Sequence, residues 1–311
     1  MRTLAAALIA GIASIQGASA ADRLTVLLDW FVNPDHAPLV VAAEKGYFAE
    51  KGLDVELVPP ADPSAPPRLV AAGQGDIAIT YQPNLYLQRE QDLPLVRIGT
   101  LVATPLNALV ALADGPVKAL EDLKGKTIGY SVAGFEEVLL EAMLAGTGVE
   151  MKDVTLVNVN FALSPALIAG RVDAVIGAFR NFELTQLRLE GREGTAFYPE
   201  ESGVPAYDEL IYVAHRDGLG DDRLKRFLEA VERATLYLTN HPEDGLEIFL
   251  RVHPDLGDEL NRRAYADTLP RFSQSPAALD RMRYARFAAF LAERGLIEEA
   301  RPVDEYAVAL E

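Results

Sequence analysis

Short apolar runs alternate with longer amphipathic stretches through most of the chain, the pattern of parallel strands joined by crossover helices. The runs Leu24–Leu28, Asp54–Val58, Ile77–Thr80, Val96–Leu101, Ala108–Ala113, Thr127–Tyr130, Val154–Asn158, Ala174–Ala178 and Leu210–Ala214 predict strands. Helical spacing of apolar positions predicts helices over Pro38–Lys51, Pro66–Ala72, Asn84–Glu90, Phe135–Gly146, Leu163–Ala169, Phe182–Gly191, Arg223–Thr239, Gly245–Arg251, Asp258–Ala266 and Ala277–Arg294. The class is α/β, and the chain is longer than one core usually serves. Val96–Ala113 is almost uncharged and holds Thr104-Pro105-Leu106-Asn107 between two strand-like runs, which suits a crossing between two lobes. A return over Gly203–Asp208 makes residues 21–106 with 206–311 one lobe and residues 107–205 the other. The proline-rich Pro59–Pro67 reads as a stiff loop.

The first twenty residues read as a secretory signal: Arg2 is the positive end, Leu4–Ile15 the apolar core, and Ala18-Ser19-Ala20 the cleavage site. No later run reaches the roughly 18 apolar residues of a membrane span. The chain is therefore expected to be exported, soluble and periplasmic. It has no cysteine, which excludes disulfides, thiolate metal sites, cysteine nucleophiles and a lipid anchor on an N-terminal cysteine. Cleaving the signal takes the net charge from −17 to −18. Such a surface repels nucleic acid and anionic lipid and favours solubility, so no nucleic-acid partner is expected.

Candidate chemistry gathers where strands end. Asp29-Trp30-Phe31-Val32-Asn33-Pro34-Asp35-His36 follows the first strand and holds the only tryptophan and one of four histidines. Polar and aromatic groups at such a turn reach the crevice of an open α/β sheet. Tyr81 and Gln82 follow Ile77–Thr80; a glutamine offers a donor and an acceptor to an amidine-like ring edge, or else faces water. Gly134 and Phe135 open a helix whose amides can face a cleft. There is no P-loop or G-x-G-x-x-G pattern there, and Glu136 and Glu137 already occupy the helix dipole, so a polar contact or plain capping is the reading. Phe179-Arg180-Asn181-Phe182-Glu183 follows Val172–Ala178. Glu183 can accept from a ligand amine and Phe179 or Phe182 can stack on its ring. Phe182 can instead belong to the helix core, and Arg180 can pair with an acid such as Glu183. No G-x-S-x-G or H-E-x-x-H is present. His215, His241 and His253 are scattered and read as surface or capping residues. No catalytic residue, metal site or cofactor is expected.

Taken together, Leu28-Asp29-Trp30-Phe31, Asn33-Pro34-Asp35-His36, Glu44–Phe48 with Gly52–Val55, Gly75-Asp76 with Tyr81-Gln82, Leu123–Tyr130 and Val172–Ala178 resemble the thiamine-pyrimidine branch of the ABC-transporter substrate-binding proteins. The resemblance runs over nearly all of the chain after the signal. Gly46-Tyr47-Phe48 and Leu123–Gly129 are shared with binders of sulfonates and nitrate, whereas Asp29-Trp30-Phe31, Asn33, His36 and Tyr81-Gln82 point to the narrower branch. It implies a two-lobed, hinged periplasmic-binding-protein type II fold. Such a protein closes on its ligand as a monomer and hands it to a membrane permease driven by an ATPase. The implied ligand is formylaminopyrimidine or hydroxymethylpyrimidine. The implied roles are Trp30 as stacking platform, Tyr81 as second wall, Asn33, His36 and Gln82 as polar contacts, and Glu183 as acceptor of the exocyclic amine. Arg180 departs from the family, whose members often carry an aromatic residue there. With Arg180 facing the cleft, an anionic or carbonyl-rich ligand becomes possible, and riboflavin or another small aromatic or sulfonate-type solute is the alternative. The same fold hosts a pyrimidine-phosphate synthase that relies on a cysteine-rich segment, which this chain lacks. A sensory role at a membrane receptor would use the same cleft.

Overall fold

The computed structural model describes residues 21–310; the predicted signal, residues 1–20, lies outside them. Among the described residues the strands are β1 (Asp22–Leu27), β2 (Leu53–Val58), β3 (Ile77–Thr80), β4 (Leu95–Val102), β5 (Asn107–Leu112), β6 (Thr127–Tyr130), β7 (Thr155–Asn158), β8 (Ala174–Phe179), β9 (Gly194–Phe197) and β10 (Leu210–His215). They form two five-stranded sheets, ordered β2-β1-β3-β10-β4 and β7-β6-β8-β5-β9. In each, four strands run one way, as the alternation predicts, but the fifth is antiparallel to them. β10 lies antiparallel between β3 and β4, and β5 between β8 and β9. These two strands are the ones that arrive from the other sheet. The sheets thus share one strand order although the sequence carries no repeat.

The helices are α1 (Ala37–Glu44), α2 (Tyr47–Glu50), α3 (Pro66–Ala71), α4 (Gln82–Glu90), α5 (Phe135–Leu144), α6 (Leu163–Ile168), α7 (Glu183–Leu189), α8 (Asp222–Asn240), α9 (Pro242–Val252), α10 (Glu259–Thr268) and α11 (Arg281–Glu293). The single helix expected over Pro38–Lys51 is two, because Gly46 stands at φ 73°, a left-handed step that ends α1 and caps α2. The last long helix starts at Arg281 rather than Ala277, after the Asp280 cap accepts from the Arg283 amide. β9 was not foreseen. It is a short, half-buried edge strand paired only with β5, and four residues carry too little alternation to read. No helix among the described residues is long and apolar enough to cross a membrane.

The chain leaves the first sheet after Val102, enters the second at Asn107, and returns between Phe197 and Leu210. Side chains fasten the two crossings to each other. The buried Glu209 carboxyl accepts from the amides of Leu106 (2.5 Å) and Asn107 (2.9 Å). Arg180 donates to the carbonyls of Leu106 (3.2 Å) and Asn107 (3.0 Å), pairs with both oxygens of Glu200, and lies over the Tyr198 ring. The largest apolar core underlies the first sheet and takes in α1, α8, α9 and α11. Two smaller clusters cover the faces of the second sheet.

Candidate ligand-binding site

The turn after β1 is held by its own polar groups. Asn33 is extended and caps a short 3-10 turn, Pro34–His36. Its Oδ1 accepts from the Asp35 amide (2.8 Å), Nδ2 donates to the Phe31 carbonyl (3.1 Å), and Pro34 suits the first position of the turn. The Asn33 amide donates to His36 Nδ1 (3.3 Å), which leaves Nε2 as the protonated nitrogen donating to Asp29 Oδ1 (3.0 Å). Tyr81, just past β3, donates to the other oxygen, Asp29 Oδ2 (3.2 Å). Asp29 is thus fixed by two elements of the first lobe.

A small cavity opens between the lobes, with the mix of aromatic walls and a few polar groups usual for small-molecule sites. The first lobe lines it with Asp29, Trp30, Phe31, Asn33, Asp35 and Tyr81, and the second with Glu136, Leu163, Gly177, Phe179, Phe182 and Glu183. Aromatic rings bridge the lobes around it. Trp30 meets Phe161 edge-on (centroids 4.6 Å apart), Phe31 lies near Phe182 (6.4 Å), and Tyr81 stacks on Phe135 (4.6 Å).

Four of the lining residues are carboxylic acids and none is Lys, Arg or His. Burial is the first cause of the pKa shift in three of them. It pushes Asp35 up to about 6 and Glu183 up to about 7, the latter despite an amide bond from Phe179 to Oε2 (2.7 Å), and it lifts Glu136 well above the usual carboxylate range. Glu136 reaches the cavity wall because Gly177 leaves room. A Cβ built on Gly177, which stands at φ 93°, would sit within 2.2 Å of Glu136 Oε1. Chemically, such a cavity accepts hydrogen bonds from a flat, apolar-faced molecule carrying N–H groups, and it repels anions.

Of the residues singled out in the sequence, Asp29, Trp30, Asn33, Tyr81, Phe179 and Glu183 line this cavity. The others lie elsewhere. His36 stands behind Asp29, fully buried. Gln82 is fully buried with its amide already engaged, Nε2 donating to Tyr86 (2.9 Å) and Oε1 accepting from the Asp208 amide (2.8 Å), so it offers nothing to a ligand in this arrangement. Phe135 backs Tyr81 without reaching the cavity wall. Gly134, at φ 98°, opens α5 beside Leu87 on the outer face of that contact. Arg180 belongs to the crossings, paired with Glu200 rather than with Glu183. Asn181 reaches across to Asp35. Absent from the candidate set were Phe31, Asp35, Glu136, Leu163, Gly177 and Phe182. Phe31 and Asp35 stood within the first motif and Phe182 within the fourth, but Glu136 looked like an ordinary first-turn acid.

Two mixed α/β sheets joined by two crossings, with a polar and aromatic cavity between them, define the two-lobed solute-binding fold. The alkanesulfonate-binding protein SsuA of Xanthomonas axonopodis pv. citri, bound to MOPS, shares it with a TM-score of 0.70 at 17% identity, over 94% of this chain and 99% of that one. The chain belongs to the NMT1/THI5-like family, whose model matches residues 33–245. It is 51% identical over 293 residues to a Haemophilus influenzae protein provisionally named for thiamine biosynthesis, covering 94% of this chain and 93% of that one. To the formylaminopyrimidine-binding protein of Halalkalibacterium halodurans it is 36% identical over 233 residues, 74% of this chain and 71% of the relative. The 4-amino-5-hydroxymethyl-2-methylpyrimidine phosphate synthase of Aspergillus parasiticus is 29% identical over 266 residues, 81% and 77% of the two chains.

Proposed function

We propose that this chain is the exported binding component of an ABC importer, capturing a thiamine pyrimidine precursor of the formylaminopyrimidine kind and delivering it to a permease driven by an ATPase. The observation that carries the reading is the cavity wall: four carboxylic acids, aromatic rings and no cation. An aminopyrimidine supplies N–H donors for the acids and a π-face for the rings. A sulfonate or a phosphate ester would find no cation to pair with there, and a fold shared at 17% identity does not set the ligand. The absence of cysteine speaks against the synthase reading.

In this account Trp30 and Tyr81 flank the ring, Asp29 and Asn33 give polar contacts from the first lobe, and Glu183 takes the exocyclic amine from the second. Residues 21–106 with 206–311 close against 107–205 about the two crossings. Trp30 is the only tryptophan and lines the cavity, so its emission reports on the site. Titration with formylaminopyrimidine is expected to change that emission saturably, without consumption of the pyrimidine. No change with this compound or with hydroxymethylpyrimidine contradicts the ligand assignment, and turnover by the purified protein contradicts the transport role.

A further inference from the structure

Asp35 holds a position that the recognition of an amine by Glu183 does not explain. It lies on the first lobe, in the turn after β1, and is 4% exposed. Its Oδ1 takes two hydrogen bonds. One comes from Asn181 Nδ2 (2.9 Å), on the second lobe between β8 and α7, and one from Thr268 Oγ1 (2.6 Å), at the end of α10, whose single proton is shared with the Ala264 carbonyl (2.7 Å). Asn181 Nδ2 is also 2.7 Å from Thr268 Oγ1, and both residues are buried. These contacts join the second lobe to two elements packed on the first. Among the described residues nothing in the protein donates to Oδ2, although Asp35 lines the cavity. A latch alone needs one acceptor oxygen, which an uncharged asparagine supplies without the cost of burying a carboxyl group.

We propose that Asp35 couples recognition to closure: Oδ1 fastens the lobes through Asn181 and Thr268 while Oδ2 accepts a hydrogen bond from a second N–H of the ligand. The inference rests on the aminopyrimidine reading above. It makes closure and ligand capture share one carboxyl group, so a molecule that cannot donate to Oδ2 leaves that oxygen uncompensated in the closed form.

The test is calorimetry of the full mature chain with formylaminopyrimidine, comparing wild type, Asp35→Asn and Thr268→Val, with melting temperatures measured alongside. Asp35→Asn keeps an oxygen for the latch and turns the other atom into a donor. It is expected to weaken binding by about 10- to 100-fold, the range for a lost hydrogen bond to a charged group, with the melting temperature held or raised. Thr268→Val removes a latch donor outside the cavity lining. It is expected to weaken binding by about 2- to 10-fold and to enlarge the ligand-free protein in small-angle scattering. Binding by Asp35→Asn within twofold of wild type overturns the proposal, as does a loss of affinity matched by a loss of thermal stability. Unchanged affinity and scattering in Thr268→Val overturns the closure half. If wild type itself binds no pyrimidine, the aminopyrimidine reading fails instead, which separates the two.

Discussion

One oxygen of Glu183 takes the Phe179 amide, and burial lifts the acid to about 7, so the group changes charge within an accessible pH range. An amine donates more strongly to the carboxylate than to the neutral acid. Ligand binding therefore favours the ionised form and releases a proton wherever the free site is protonated. Affinity for formylaminopyrimidine is therefore expected to rise as pH climbs from about 5 to about 7 and to level above that. Asp35, raised to about 6, adds in the same direction. Glu183→Gln is expected to cost about 1–3 kcal/mol of binding at neutral pH and to flatten the profile. Calorimetry across that range checks both, and a variant with wild-type affinity and slope would place the amine elsewhere. The residue scale is also where the sequence was least legible. Asp29, Trp30 and Glu183 were readable because polar or aromatic residues directly after an apolar run stand at a strand end. Gln82 shares that signal, but its amide is claimed by the Asp208 backbone, a partner that only the return crossing brings near. Glu136 reads as a helix-dipole acid, and its place in the cavity depends on the missing Cβ of Gly177 in another element.

At the scale of elements, the parts that periodicity specifies came through: the strands of each sheet and the helices between them follow from alternating apolar runs and amphipathic stretches. What did not come through has local causes. Gly46 breaks one helix by adopting a left-handed backbone, β9 is too short to show a pattern, and an antiparallel insertion depends on which sheet a strand joins rather than on its own residues. Arg180 shows the same dependence, since its partners sit on both crossings. Three of its nitrogens serve the Leu106 and Asn107 carbonyls and Glu200. Arg180→Ala is therefore expected to destabilise the protein by about 1–3 kcal/mol, the cost of charge-assisted bonds left unmade, with ligand affinity falling less steeply than stability. Urea denaturation beside calorimetry measures this. Lost affinity at unchanged stability would put the guanidinium on the ligand and favour an anionic or carbonyl-rich solute.

The molecule as a whole combines a fold shared with an alkanesulfonate binder with a cavity wall of carboxylic acids and aromatic rings. The fold supplies two lobes and a cleft, joined by two crossings that Glu209 and Arg180 fasten to each other. Specificity comes from what each lobe brings to the interface. A net charge of −17 adds a long-range field that disfavours anions before they arrive. The most direct test is a side-by-side calorimetric titration of the purified protein with formylaminopyrimidine and with an alkanesulfonate at neutral pH. The account predicts saturable binding of the pyrimidine, with a dissociation constant of about micromolar or below, corresponding to roughly −8 kcal/mol, and no heat from the sulfonate. Binding of the sulfonate with no response to the pyrimidine would contradict it.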